Sequence, residues 1–219
     1  MTKRISKQLN SFKYKGEPIK ITLGTLLLTA CSIILLIIAT FTQFTITHLY
    51  FPFDSLSYSS SNIMDYTKTY RYIPQIPTVF FIMALLGRKF SILAISGFII
   101  LGMFFPIFAL GGGVTYLFEY GFGYILAFIP AVFFSGTLLK VKTDFFRIVL
   151  LSTLGVCTIH ILGILYMLFV ATLRHAPMDL IYSWISSQSG AQILYDIGFA
   201  ILAVYLGRLF RKMVWIIMC

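Results

Sequence analysis

Six stretches of this chain are apolar enough to lie in a lipid bilayer, and that repetition limits the fold more than any motif does. A spanning helix needs about 20 consecutive, mostly apolar residues; the stretches fall near residues 21–47, 74–87, 90–109, 122–139, 148–173 and 190–207. Hydrocarbon offers no water to backbone N–H and C=O groups, so each stretch is expected to satisfy its own as an α-helix. The expected architecture is an all-α integral membrane protein of about six transmembrane helices. The second stretch is short and opens with Pro74 and Pro77, which suits a tilted or partly re-entrant helix leaning on its neighbours.

Composition agrees with this reading. The chain is 59% apolar and only 11% charged, against roughly half and a quarter in soluble domains. Outside the six stretches no polar segment is long enough to bury a second core, so we expect one membrane domain over residues 21–212. A basic tail, 1–20, precedes it. The apolar tail 213–219 follows, too brief to span and expected along the inner interface. The basic start resembles the n-region of a secretory signal, but the first apolar stretch is long enough to be retained as a span. Cys31, Cys157 and Cys219 show no paired spacing for a metal site or disulfide framework and read as small apolar residues.

An excess of 17 Lys and Arg over 7 Asp and Glu could suggest a nucleic-acid partner, but the cations sit in short clusters between apolar runs. Topology accounts for them. Lys3, Arg4, Lys7, Lys13, Lys15 and Lys20 lead the chain; Arg88 and Lys89 follow the second stretch; Lys140, Lys142 and Arg147 precede the fifth; Arg208, Arg211 and Lys212 follow the sixth. These are 14 of the 17, all on one side of a six-helix layout. The other side has only Lys68, Arg71 and Arg174, with Asp54, Asp65, Glu119 and Asp179. Positive loops mark the cytoplasmic face, so both termini are expected there. Tyr66, Tyr70 and Tyr72, on the return of the first outer loop, read as interfacial tyrosines.

The segment GGGVTYLFEYGFGY, Gly111 to Tyr124, falls on the outer side. Three consecutive glycines permit a close backbone approach; they serve a ligand or, equally, a tight turn between helices. A helix start after them would offer backbone donors to an anion, and Glu119 stands among aromatics at the same mouth. Gly123, Ala127, Ala131 and Ser135 place a small residue at every fourth position of the fourth helix, a close-packing face. Two ionisable residues, His160 and Asp196, lie within helices, where a functional role is the default expectation. Each has a structural alternative: one interhelical hydrogen bond for His160, and interfacial water for Asp196, one turn after Gln192. No His-Glu-x-x-His, Gly-x-Ser-x-Gly or Gly-Lys-Ser/Thr pattern is present, and His48, His160 and His175 share no spacing. Neither catalysis nor a metal is expected; uphill transport would need nucleotide hydrolysis by another subunit.

From Tyr72 through Leu139 the chain becomes recognisable. Leu101, Gly102, Pro106, Phe108 and Gly111 to Gly113, then Gly123, Tyr124, Ile125, Ala127 and Phe128, resemble in order the motifs of the BioY family. Its members are biotin-binding S components of energy-coupling-factor (ECF) transporters. The run GVCTIHILGILYM, Gly155 to Met167, is similar to the family's fifth helix, with His160 where many members have tyrosine; that histidine and the E-x-x-F-G-Y form resemble the cyanobacterial branch. The family's last helix often opens with Pro-Gly-Asp and a lysine three residues on. Here Ser189, Gly190, Ala191 and Gln192 stand in that place.

The resemblance implies an S-component fold in a prokaryotic cytoplasmic (plasma) membrane, with biotin as transported substrate and no cofactor. It implies as partners a transmembrane coupling protein and ATPase subunits. The implied pocket lies at the outer ends of helices four to six, with the ring system of biotin against Tyr116, Phe122, Tyr124 and Trp184. Its carboxylate would meet Arg174 or Arg71, a protonated His160, or the backbone N–H groups of Gly112 and Gly113. Gly111, Gly123, Glu119, Gln192 and Asp196 complete the candidate set. The alternatives are an S component for another small vitamin and a non-transporting membrane scaffold.

Overall fold

A computed structural model describes residues 22–49, 67–109, 111–139, 144–190 and 192–218. The basic tail 1–20, most of the first outer loop including Tyr66, and Lys140 and Lys142 lie outside the described residues. Among the described residues, eight α-helices and one antiparallel strand pair follow in order: α1 Leu23–Phe41, β1 Phe44–Leu49, β2 Thr67–Tyr72, α2 Gln75–Leu86, α3 Arg88–Phe104, α4 Phe122–Leu126, α5 Phe128–Leu138, α6 Phe145–Leu173, α7 Met178–Ser189 and α8 Gln192–Met218. A short 3-10 helix, Val114–Phe118, precedes α4. Counting α4 and α5 as one interrupted span gives six membrane helices, as the apolar runs predict. Leu27, Ile34, Phe104, Phe146, Ile161 and Leu202 are exposed on the outside of the bundle, which suits a lipid solvent.

Helix α1 begins at a capping box in which Thr22 and Thr25 satisfy each other's backbone N–H groups. Its buried hydroxyls are internally bonded: Thr29, Ser32 and Thr40 donate to carbonyls four residues back at 2.7–2.8 Å. The helix ends at Phe41, earlier than the apolar run, because FTITHL alternates and is rich in β-branched and aromatic residues. That segment pairs antiparallel with β2, Phe44 opposite Tyr72. An all-helical reading therefore missed a two-stranded ribbon on the outer side. Helix α1 runs into β1 and β2 runs into α2, and Gln75 Nε2 donates to Thr40 Oγ1 at 2.6 Å, tying the start of α2 to the end of α1.

At 12 residues α2 is about 18 Å long, well short of a bilayer core. Its prolines fall at the N-cap and in the first turn, where no internal N–H is lost. Packing compensates for its length. Val79, Phe80, Ile82, Met83 and Ala84 are fully buried, and α2 makes its most extensive contacts with α8, where Gly207 comes against the Phe81 carbonyl. Gly87, at φ 80°, turns the chain into α3. The stem of Arg88 then lies on Gly136 and its guanidinium sits 5.1 Å above the Phe133 ring, so the α2–α3 turn abuts the end of α5.

The fourth span breaks at Ala127, three residues before Pro130, whose ring nitrogen cannot bond the Leu126 carbonyl. Its contact with α6 interlocks. A side chain at Gly123 would collide with Tyr166, and one at Gly163 would collide with the Tyr124 ring, so each tyrosine lies over the other helix's glycine. Helix α6 ends where His175 takes a left-handed φ of 50°, and Pro177 caps α7. Within residues 174–189, expected as an outer loop, Met178–Ser189 form α7. Its half-buried Ile181, Trp184, Ile185 and Gln188 follow helical spacing, while Met178 and Tyr182 face outward. Finally, α8 continues unbroken to Met218, so the expected apolar tail is the last turn and a half of that helix.

Candidate functional site

Two layers of polar chemistry occupy the outer half of the bundle. In the inner layer, Asp196 on α8 is fully buried rather than reaching interfacial water as the sequence allowed. Tyr72, at the end of β2, donates to its Oδ1 at 2.7 Å, and His160 Nε2 on α6 lies 3.1 Å from its Oδ2. The other imidazole nitrogen, Nδ1, is 2.9 Å from the hydroxyl of Ser189, the last residue of α7. Ser189 in turn is 2.7 Å from the phenol oxygen of Tyr124 on α4. The result is a chain Tyr72–Asp196–His160–Ser189–Tyr124 joining five elements, β2, α8, α6, α7 and α4.

Each member is fixed by packing as well as by its bonds. The Tyr72 ring lies between Phe44 and Phe199, with centroids at 5.1 and 5.2 Å. The Tyr124 ring meets His160 edge to face at 5.8 Å and rests on Gly163. One assignment of protons satisfies every link: Tyr124 donates to Ser189, Ser189 to Nδ1, and Nε2–H to the carboxylate. A carboxylate in hydrocarbon is tolerated only with such donors.

The outer layer is exposed. Arg174, the C-cap of α6, reaches Glu119 at 3.3 Å from Nη2 to Oε1, with about two fifths of each side chain in solvent. The guanidinium lies 5.2 Å over the Tyr120 ring, and Tyr120 meets Trp184 of α7 edge to face at 5.8 Å. The hydrogen bond to Glu119 pushes the Arg174 guanidinium above its ordinary range, keeping it cationic. A Cβ at Gly121 would meet both the Trp184 ring, at 3.7 Å, and the Tyr116 hydroxyl, at 3.8 Å.

Gly111, Gly112 and Gly113 form a wall rather than an anion cradle. Phe108 and Gly111 exchange both backbone hydrogen bonds, and the Gly113 N–H, expected as a carboxylate donor, donates to the Gly102 carbonyl at 2.9 Å. Gly111 and Gly113 have φ of 129° and 88°, and a Cβ at Gly112 would stand 2.2 Å from the Phe105 carbonyl oxygen. The close approach is thus between two segments of this chain. At the next helix start the N–H groups of Phe122 and Tyr124 already bond Glu119 and Gly121. Tyr116 and Phe122 are buried with Phe98 and Phe108 in an aromatic cluster against which the half-buried Tyr166 packs. The Tyr166 hydroxyl donates to the Leu117 carbonyl.

The structure therefore brings His160, Asp196 and Tyr124 together, and separately pairs Arg174 with Glu119. Gln192 lies half-buried one turn before Asp196, whereas Arg71 is exposed on the hairpin. Sequence reasoning missed Tyr72, Ser189 and Tyr120 as site residues. A buried Asp196 demands donors, and Tyr72, immediately before the prolines of α2, was positioned to supply one. Among the described residues no three His, Cys, Asp or Glu side chains converge as a metal site. An open groove of about 480 Å³ between α4–α5 and α6, lined by Leu126, Pro130, Leu162 and Phe169, is almost wholly apolar and lacks polar groups to orient a ligand.

Comparison with known proteins supports the same architecture. The chain matches a solved structure described as the S-component for biotin from an ECF-type ABC transporter, with a TM-score of 0.61 and 22% identity over 88% of this chain and 95% of that one. This likeness establishes a shared six-helix membrane fold. No match is found among curated proteins. Residues 71–217, two thirds of the chain, from the last two residues of β2 through nearly all of α8, match the model of the BioY family, and the chain belongs to that family.

Proposed function

We propose that this protein captures biotin at the outer face of a prokaryotic cytoplasmic membrane as the S component of an ECF-type transporter. The observation that carries the reading is the two-layer site: a buried hydrogen-bonding floor and a cationic aromatic mouth on one fold. His160 and Arg174 are 14 residues apart on α6, about 21 Å along its axis. Only an elongated ligand with two different ends can engage both, with the long arginine side chain narrowing the gap. On α7, Trp184 meets Tyr120 of the mouth and Ser189 belongs to the floor.

Biotin has the matching chemistry. Its neutral ureido ring offers two N–H donors and one carbonyl acceptor to Asp196, Ser189 and Tyr124, whose oxygens accept or both accept and donate. A second carboxylate beside Asp196 would be repelled, which sends the valerate carboxylate to Arg174. Tyr120 and Trp184 flank the aliphatic tail, with Gln192 near the floor. His160 and the E-x-x-F-G-Y form of residues 119–124 favour the cyanobacterial branch. Both termini are on the cytoplasmic side, placing Arg88, Lys89, Arg147, Arg208, Arg211 and Lys212 there. Release of biotin inside depends on a transmembrane coupling protein and two ATPases, since this chain has no nucleotide-binding loop.

Equilibrium binding of labelled biotin to the purified, detergent-solubilised protein tests the reading. Saturable binding displaced by unlabelled biotin and by no other vitamin is the expected result. No binding by demonstrably folded protein, or equal displacement by another vitamin, would overturn it.

A further inference from the structure

The cation at the mouth is already occupied. Glu119 holds Arg174 through one contact of 3.3 Å, longer than the roughly 2.7–2.9 Å of a strong charge-assisted hydrogen bond. The pair is half in solvent, the condition in which such pairs are weak and exchangeable. The two partners are held on separate supports. Glu119 caps the 3-10 helix beyond the glycine wall, whereas Arg174 is steadied over Tyr120 at the end of α6. Tyr120 holds the guanidinium by ring contact and hydrogen bond, and with five N–H donors the guanidinium keeps others beyond those turned to Glu119 and Tyr120 to receive another carboxylate.

We propose that Glu119 is a built-in competitor that a ligand carboxylate must displace from Arg174, making residue 119 a determinant of affinity for anionic ligands rather than a ligand contact. This inference rests on the biotin reading. When the site is empty, Glu119 neutralises the cation and closes the mouth beside Tyr120 and Trp184. When biotin enters, its carboxylate takes the guanidinium and Glu119 turns to water. No proton moves and no bond other than hydrogen bonds is exchanged. A ligand whose tail is neutral cannot make the exchange.

The test measures binding of biotin and of biotinamide, its neutral analogue, to the wild type, Glu119→Gln, Arg174→Gln and the double variant, all near pH 7 and low salt. Removing a weak, exposed competitor should tighten biotin binding about two- to five-fold in Glu119→Gln and leave biotinamide unchanged. Arg174→Gln should weaken biotin, and in its presence Glu119→Gln should have no effect. If Glu119→Gln weakens biotin, leaves it unchanged, or tightens biotinamide equally, the competitor role is wrong and Glu119 is a structural latch or bystander. Wild-type protein that binds neither ligand would instead sink the underlying biotin reading. Thermal midpoints of the variants, both changed at exposed positions, show that each protein is folded.

Discussion

Two acid–base pairs of nearly equal length stand at the two depths of this site, and their surroundings make them different objects. His160 and Asp196 are 3.1 Å apart with 3% and 0% of their side chains exposed; Arg174 and Glu119 are 3.3 Å apart with 42% and 43% exposed. At the mouth, water solvates either partner when the contact opens, so the pair contributes little to the fold and can be traded for a ligand. At the floor no water waits. Opening that contact leaves a carboxylate in a medium that cannot solvate it, so the pair is held on its other sides by Tyr72 and Ser189. Burial, rather than distance, decides which pair is architecture and which is a switch.

The contrast can be broken or sharpened by substitution, in descending order of effect. Asp196→Ala should be the most damaging, about 3–5 kcal/mol of stability, because it removes one partner of a buried pair and takes the carboxylate acceptor from both Tyr72 and His160. Thermal unfolding in detergent measures it, and a loss below about 1 kcal/mol would mean that the floor is hydrated. Tyr72→Phe keeps the ring stack with Phe44 and Phe199 but removes one donor to the carboxylate, for an expected loss of about 1–2 kcal/mol by the same assay. Ser189→Ala interrupts the chain at a neutral link and should cost about 0.5–1.5 kcal/mol, with biotin affinity falling more than stability if Ser189 touches the ureido group. Glu119→Gln and Arg174→Gln should leave the unfolding midpoint unmoved in 0.5 M salt and in low salt alike, to the order of experimental scatter, as expected of a screened surface pair. A large shift from either would erase the distinction between the two depths.

Much of this was legible in the chain itself, for stated physical reasons. The six spans follow from apolar length, and the order of glycines and aromatics from Leu101 to Phe128 was enough to suggest the family. His160 and Asp196 stood out because ionisable groups in hydrocarbon demand an explanation, but their mutual contact depends on how α6 and α8 pack, which periodicity does not encode. The hairpin was hidden because Phe44–Leu49 continues the apolar run of α1 and differs only in its alternation. Helix α7 was hidden for the opposite reason: its apolar stripe is too thin to register as a span. The glycine run left a ligand cradle and a tight turn equally open, because free N–H groups cannot be counted from sequence; the Gly113 N–H donates to Gly102.

The paired tyrosine–glycine contacts between α4 and α6 have a consequence for evolution. Gly123 lies beneath Tyr166 and Gly163 beneath Tyr124, so neither glycine can acquire a methyl group while its covering ring remains. These four positions therefore form two coupled loci. Relatives that replace one of the glycines should carry a smaller residue at its matching tyrosine, and a lineage changing Tyr124 would also lose the Ser189 end of the buried chain. Drift at a packing position of α6 would thereby alter which molecules the protein can recognise, linking vitamin preference to substitutions that never touch a vitamin.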